Sequence, residues 1–176
     1  MLFRSAISYV KGTLTVGTKA LTITGIAGVS RSYDGTTDAT VSGTPELVGV
    51  VGSDDVSLGG TPVYTFAQAG IGTGIAIATT GYTITGADAA SYTLAQPSLS
   101  ADITAVDLTA TVTVNGRTYD GTTGATIASC TLTGVVGTED VTCDAADATA
   151  TFASPHAGTR SVSITGLSLA GADAAN

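Results

Sequence analysis

The chain has 176 residues, among them 23 Gly, 33 Thr and 27 Ala, whereas charged residues make up 11%, aromatics 5%, and Trp is absent. Six Lys and Arg against 14 Asp and Glu give a net charge of −8, which excludes the basic stripe that nucleic acid requires and has the wrong sign for an anionic membrane surface. One His and two Cys supply few parts for catalysis, no run reaches the roughly 18 apolar residues of a membrane helix, and low charge with abundant Val, Ile and Leu is the opposite of a disorder signature.

In chain order, residues 7–16, with Ile7, Tyr9, Leu14 and Val16, stand before residues 20–22 much as residues 92–103 stand before residues 107–109. Residues 21–26 alternate apolar and polar side chains, the period-two signal of a half-buried strand. Tyr33-Asp34-Gly35 follows, with Asp-Gly as a turn dipeptide. Residues 39–42 read as the next strand, and residues 47–55 as a Gly-punctuated connection with room for one helical turn. Strands are then expected at 56–58, 63–66, 74–86, 92–94 and 99–103. No segment sustains a 3.6-residue apolar period, so long helices are not expected. Many short strands at this spacing predict an all-β chain of small sandwiches, immunoglobulin-like in the first instance. A β-grasp unit with a short helix at 47–55 is the alternative.

The same series then runs a second time. Tyr33-Asp34-Gly35-Thr36-Thr37 returns as Tyr119-Asp120-Gly121-Thr122-Thr123, and Gly49-Val50-Val51-Gly52 as Gly134-Val135-Val136-Gly137. Thr65-Phe66-Ala67 returns at Thr151-Phe152-Ala153, and Gly86-Ala87-Asp88-Ala89-Ala90 at Gly171-Ala172-Asp173-Ala174-Ala175. The anchors keep their order, so the chain holds two copies of one unit. The expected divisions are residues 18–105 for the first copy and 106–176 for the second. Residues 1–17 read as a closing strand belonging to a preceding unit or a neighbouring molecule, and the second copy as wanting its own closing strand. An open sheet edge invites another strand, so head-to-tail contact is expected, between separate chains or within a longer array. Met1 to Ser5 carries no apolar core of a signal peptide.

In combination, the Tyr-Asp-Gly-Thr-Thr, Gly-Val-Val-Gly and Gly-Ala-Asp-Ala-Ala segments resemble the YDG repeat domain, and residues 8–16 resemble the end of an MBG-type repeat. The resemblance implies a stalk or fibre module in large, secreted bacterial surface proteins of the filamentous-haemagglutinin and adhesin type. It brings no catalytic residues and no cofactor with it.

Occurrence in both copies suits scaffold residues, so Tyr33, Asp34 and Gly35, with Tyr119, Asp120 and Gly121, are read as structural: Tyr packing at the core edge and Asp binding turn amides. Cys130 and Cys143 occur in the second copy alone and flank its Gly-Val-Val-Gly connection. A disulfide between them would close a short loop and suit an oxidising, extracellular setting; two free buried thiols are the other reading. Acids near turns, Asp54, Asp55, Asp88, Glu139, Asp140 and Asp173, could gather calcium, but none has the spacing of a calcium loop, and solvated turn acids are the plainer reading. His156 stands in a loop without a repeated nucleophile, so no triad is arguable. Lys11 and Lys19 have no second-copy equivalents to support an isopeptide crosslink. Asn115-Gly116-Arg117 reads as a turn rather than a cell-attachment tripeptide. The expected function is a non-enzymatic structural repeat of an extracellular adhesin or fibre, partnered by copies of itself; a module binding surface glycan is the alternative.

Overall fold

The computed structural model describes residues 11–176. Every element is extended, apart from one 3-10 turn at Ala89–Ser91. The first copy contributes β1 (Lys19–Gly28), β2 (Arg31–Ser32), β3 (Val41–Val48), β4 (Ser57–Phe66), β5 (Gly72–Thr85), β6 (Tyr92–Leu94) and β7 (Leu99–Thr104). The second contributes β8 (Thr109–Val114), β9 (Gly124–Ala125), β10 (Ile127–Thr133), β11 (Thr142–Asp144), β12 (Thr149–Phe152), β13 (Val162–Thr165) and β14 (Ser168–Ala170). The chain is therefore all-β with tandem repeats, as expected, built as several small sheets. No described helix is long and apolar enough to cross a membrane.

The helical turn allowed at residues 47–55 does not form. Those residues finish β3 and continue as a turn and irregular backbone, with Gly49 and Gly52 at φ 107° and 55°, values a right-handed helix cannot contain. The two strands expected at 56–58 and 63–66 are one, β4. Gly60 does not end it, because Gly60 and Gly81 face each other at φ 95° and 90°. A Cβ on either would overlap the backbone of the opposite strand, so this glycine pair permits close approach within a continuous ladder.

The chain forms two compact units, each drawn from several stretches of sequence. Of the described residues, one comprises 11–26, 43–63 and 79–97. Its sheet has the order β3-β1-β6, with β6 parallel to β1 through Lys19↔Tyr92 and Leu21↔Leu94. Leu21, at 0% exposure, Ile23, Tyr82 and Tyr92 are buried there.

The other unit comprises residues 27–42, 64–78 and 98–176, and so contains the whole second copy. Tyr33, Phe66, Ile75, Ile77, Ala101 and Ile103 form its buried cluster, with Val106 and Val136 packed against them. Here β7 lies between two partners: antiparallel to β5 through Ala101↔Ile75 and Ser100↔Ala76, and parallel to β2 through Ile103↔Arg31. The second copy's strands pair as β10-β8, β11-β14 and β13-β12-β9. No described strand of the second copy occupies the place that β7 takes in the first.

Candidate functional site

The Tyr-Asp-Gly segment is a turn organised by its carboxylate, and it is built alike in both copies. Asp34 accepts hydrogen bonds from the Thr36 amide and hydroxyl, both at 2.8 Å, and Asp120 from the Thr122 amide and hydroxyl, both at 2.9 Å. These bonds to the charged form hold both carboxyls below the usual aspartate value. Gly35 and Gly121 follow at φ 77° and 79°, where a side chain would be strained.

An arginine three residues before each Asp completes the turn. Arg31 pairs with Asp34 and Arg117 with Asp120, each guanidinium lying 5.4 Å from a phenyl ring, Phe66 and Phe152 respectively. The guanidinium groups also donate to the Thr36 and Thr122 carbonyls. Sequence reasoning placed Arg117 in a turn but missed Arg31 and the pairing of both with the motif aspartates, although the two arginines recur at the same offset as the motif itself. With its guanidinium engaged in this way, Arg117 belongs to the turn rather than to a displayed tripeptide.

The two tyrosines have different surroundings. Tyr33 is 8% exposed and Tyr119 is 63% exposed. The Tyr33 hydroxyl donates to Glu139 Oε1 in the second copy and accepts from Asn176 Nδ2 at 3.4 Å. Its phenol is raised above the ordinary 10.0, first by the hydrogen bond to Glu139 and then by burial. Tyr92 stands similarly within the first copy, donating to Asp54 at 2.6 Å and accepting from the Val51 amide at 3.0 Å. Asp54 and Glu139 hold the same place in the repeat, so the first copy serves its acid from within, and the second has its acid served by the first.

The remaining turn acids clasp backbone. Asp88 accepts from the Asp55 amide at 2.8 Å while Asp55 accepts from the Ala87 amide at 3.2 Å. Asp173, Asp140 and Ala172 repeat this at 2.9 and 3.3 Å. Among the described residues no group of three or more His, Cys, Asp or Glu is placed to hold a metal ion. Cys130 and Cys143 form a disulfide, joining β10 to β11 with Cα atoms 5.8 Å apart.

In the second copy Arg117, Tyr119, Phe152 and Gly158, the counterparts of Arg31, Tyr33, Phe66 and Gly72 around β7, line a groove of about 140 Å³ together with His156 and Arg160. Of the expected inter-unit strand, Ile7 and Tyr9 lie outside the described residues. Leu14 and Val16 lie in irregular backbone, 90% and 88% exposed.

These features define tandem all-β repeats whose recurrent residues make turns and contacts between copies. The YDG domain family matches residues 17–99 and 104–176, and the chain belongs to that family, with two domains in succession. Neither the curated proteins nor the solved structures contain a match.

Proposed function

We propose that the chain is a structural repeat module of an extracellular bacterial adhesin or fibre, with no enzymatic activity, whose repeats join end to end. The observation that carries this reading is the seating of Tyr33 of the first copy on Glu139 of the second. It uses the family's own motif residue as a joint between repeats. The disulfide supports an oxidising, extracellular location, and the duplicated turns and clasps serve a scaffold. A glycan-binding reading would draw on Tyr119 and Phe152 in the groove, but the first copy fills the corresponding space with its own strand.

Stretching single molecules tethered at both ends tests the reading. Two discrete unfolding steps are expected, at forces well above those that extend an unfolded chain. Reduction should lengthen the second copy's step by about 40 Å, since the bridge spans a sequence separation of 13 at ~3.4 Å per residue. Extension without resistance would overturn the mechanical role.

A further inference from the structure

We propose that Asn115–Gly116 is a site of spontaneous deamidation, and that the carboxylate formed there loosens the turn that Arg117 holds in the second copy. Three dipeptides of the chain, Asn115-Gly116, Asp34-Gly35 and Asp120-Gly121, set a side-chain carbonyl carbon beside the unhindered amide of a glycine. Attack by that amide nitrogen on the carbonyl carbon closes a five-membered ring. The structure separates the first dipeptide from the other two.

The two Asp-Gly pairs are closed to this reaction. Asp34 accepts from the Thr36 amide and hydroxyl, and Asp120 from those of Thr122, each with an arginine beside it. Both carboxyls are held in the ionised form, and a carboxylate is a poor target for a nitrogen nucleophile. Asn115 carries a neutral amide instead. The pairing of β8 with β10 ends at Val114↔Ile127, and one further bond, from the Asn115 amide to the Thr126 carbonyl at 2.9 Å, anchors the backbone just before the reacting groups. Beyond it, Asn115 and Gly116 are exposed in irregular backbone. Among the described residues, neither the Asn115 side chain nor the Gly116 amide has a hydrogen-bond partner. A Cβ on Gly116 would meet nothing within 4 Å, so the ring has room to form. Exposure belongs to this place in the repeat, since Val29 and Ser30 are exposed there in the first copy, where β2 follows them directly and is paired with β7. Neither of those residues carries a side-chain amide, so the reaction is confined to the second copy.

Hydroxide removes the Gly116 amide proton, the nitrogen bonds to Asn115 Cγ, and the Cγ–Nδ2 bond breaks. Nδ2 takes a proton from water and leaves as ammonia, which regenerates the hydroxide. Water then opens the cyclic imide at either carbonyl and leaves aspartate or isoaspartate. In sum one water is consumed and one ammonia released, with no change of oxidation state. The new negative charge stands two residues from Arg117, whose guanidinium donates to Asp120 at 2.7 Å and to the Thr122 hydroxyl at 2.8 Å. A second carboxylate competes for that guanidinium, and isoaspartate adds a methylene to the backbone between β8 and the turn. The first copy's turn, preceded by Val29 and Ser30, keeps its arginine.

The test is to age the full chain in neutral buffer, with and without guanidinium chloride, and to read positions 34, 115 and 120 by mass spectrometry that distinguishes isoaspartate. Asn115 should convert at similar rates in both, with one ammonia released per chain and an acidic shift on isoelectric focusing. Asp34 and Asp120 should isomerise in denaturant and stay intact in the native chain. Gly116→Ala should slow conversion several-fold, and Asn115→Gln, which needs a six-membered ring, should stop it over the same period. In converted native chains, hydrogen exchange at the Thr122 amide should quicken while that at Thr36 stays as it was. Native Asn115 protected as strongly as Asp34 and Asp120, or isoaspartate forming at those two instead, would overturn the site. Conversion that leaves Thr122 exchange unchanged would overturn its effect on the turn.

Discussion

Tyr33 and Tyr119 share a motif, a turn and an arginine, yet only Tyr33 reaches across to the other copy. Tyr33→Phe removes the donor to Glu139 and should lower the melting temperature, while Tyr119→Phe, at an exposed ring, should leave it unchanged; calorimetry of the two variants makes the comparison. The raised Tyr33 and Tyr92 phenols stabilise the fold fully below the unfolded value of 10.0, and that contribution is lost as pH climbs through the folded values. Asp34 and Asp120 have the opposite sign. Their depressed pKa values contribute stability above the ordinary 3.8, lost as pH falls through the folded values. A pH–stability profile of Asp34→Asn with Asp120→Asn should therefore be flatter than wild type below about pH 4.

At the scale of elements, the turns that close each unit depend on glycines where no side chain fits. Gly86 and Gly171 lie at φ 125° and 112°, and a Cβ at either would overlap the carbonyl oxygen of Asp55 or Asp140. Gly86→Ala or Gly171→Ala should cost about 1–3 kcal/mol in denaturant unfolding from the backbone conformation alone, with the overlap adding to it. Leu21→Ala, at a fully buried position on β1 opposite Leu94 of β6, should cost roughly 2–5 kcal/mol. Its counterpart Leu108, half-buried, should cost less. Reduction of Cys130–Cys143 should remove about 3 kcal/mol, read as a lower melting temperature with dithiothreitol present.

These elements also show where sequence reading succeeds. Alternation located β1 and β5 because each buries one face, and the period of two is imposed by that burial. It divided β4 wrongly because Gly59-Gly60 carries the same letters whether it breaks a strand or lets two strands approach. The Asp-Gly turns were legible from local chemistry. The packing of Tyr33 at a core edge was legible too, but the partner of its hydroxyl was not, since Glu139 lies 106 residues away. The pairing of Arg31 and Arg117 with the motif aspartates was recoverable from the repeat offset and was overlooked because a scattered basic residue has no signature of its own.

For the whole molecule, the repeat accounts for the light composition: small side chains let short strands and clasped turns be written twice with little change. It accounts too for the uneven environments of equivalent residues. The first copy's Tyr33 meets Glu139 of the second, while the first copy's own acid at that place, Asp54, is met by Tyr92 from within. The claim on which this rests is that successive repeats are energetically coupled through Tyr33 and Glu139. A double-mutant cycle on stability, with Tyr33→Phe, Glu139→Gln and the pair together, addresses it most directly. The account predicts that the pair costs clearly less than the two single changes added, because either one already breaks the same contact. Costs that simply add would show that the two repeats stand side by side without that joint, and would contradict it.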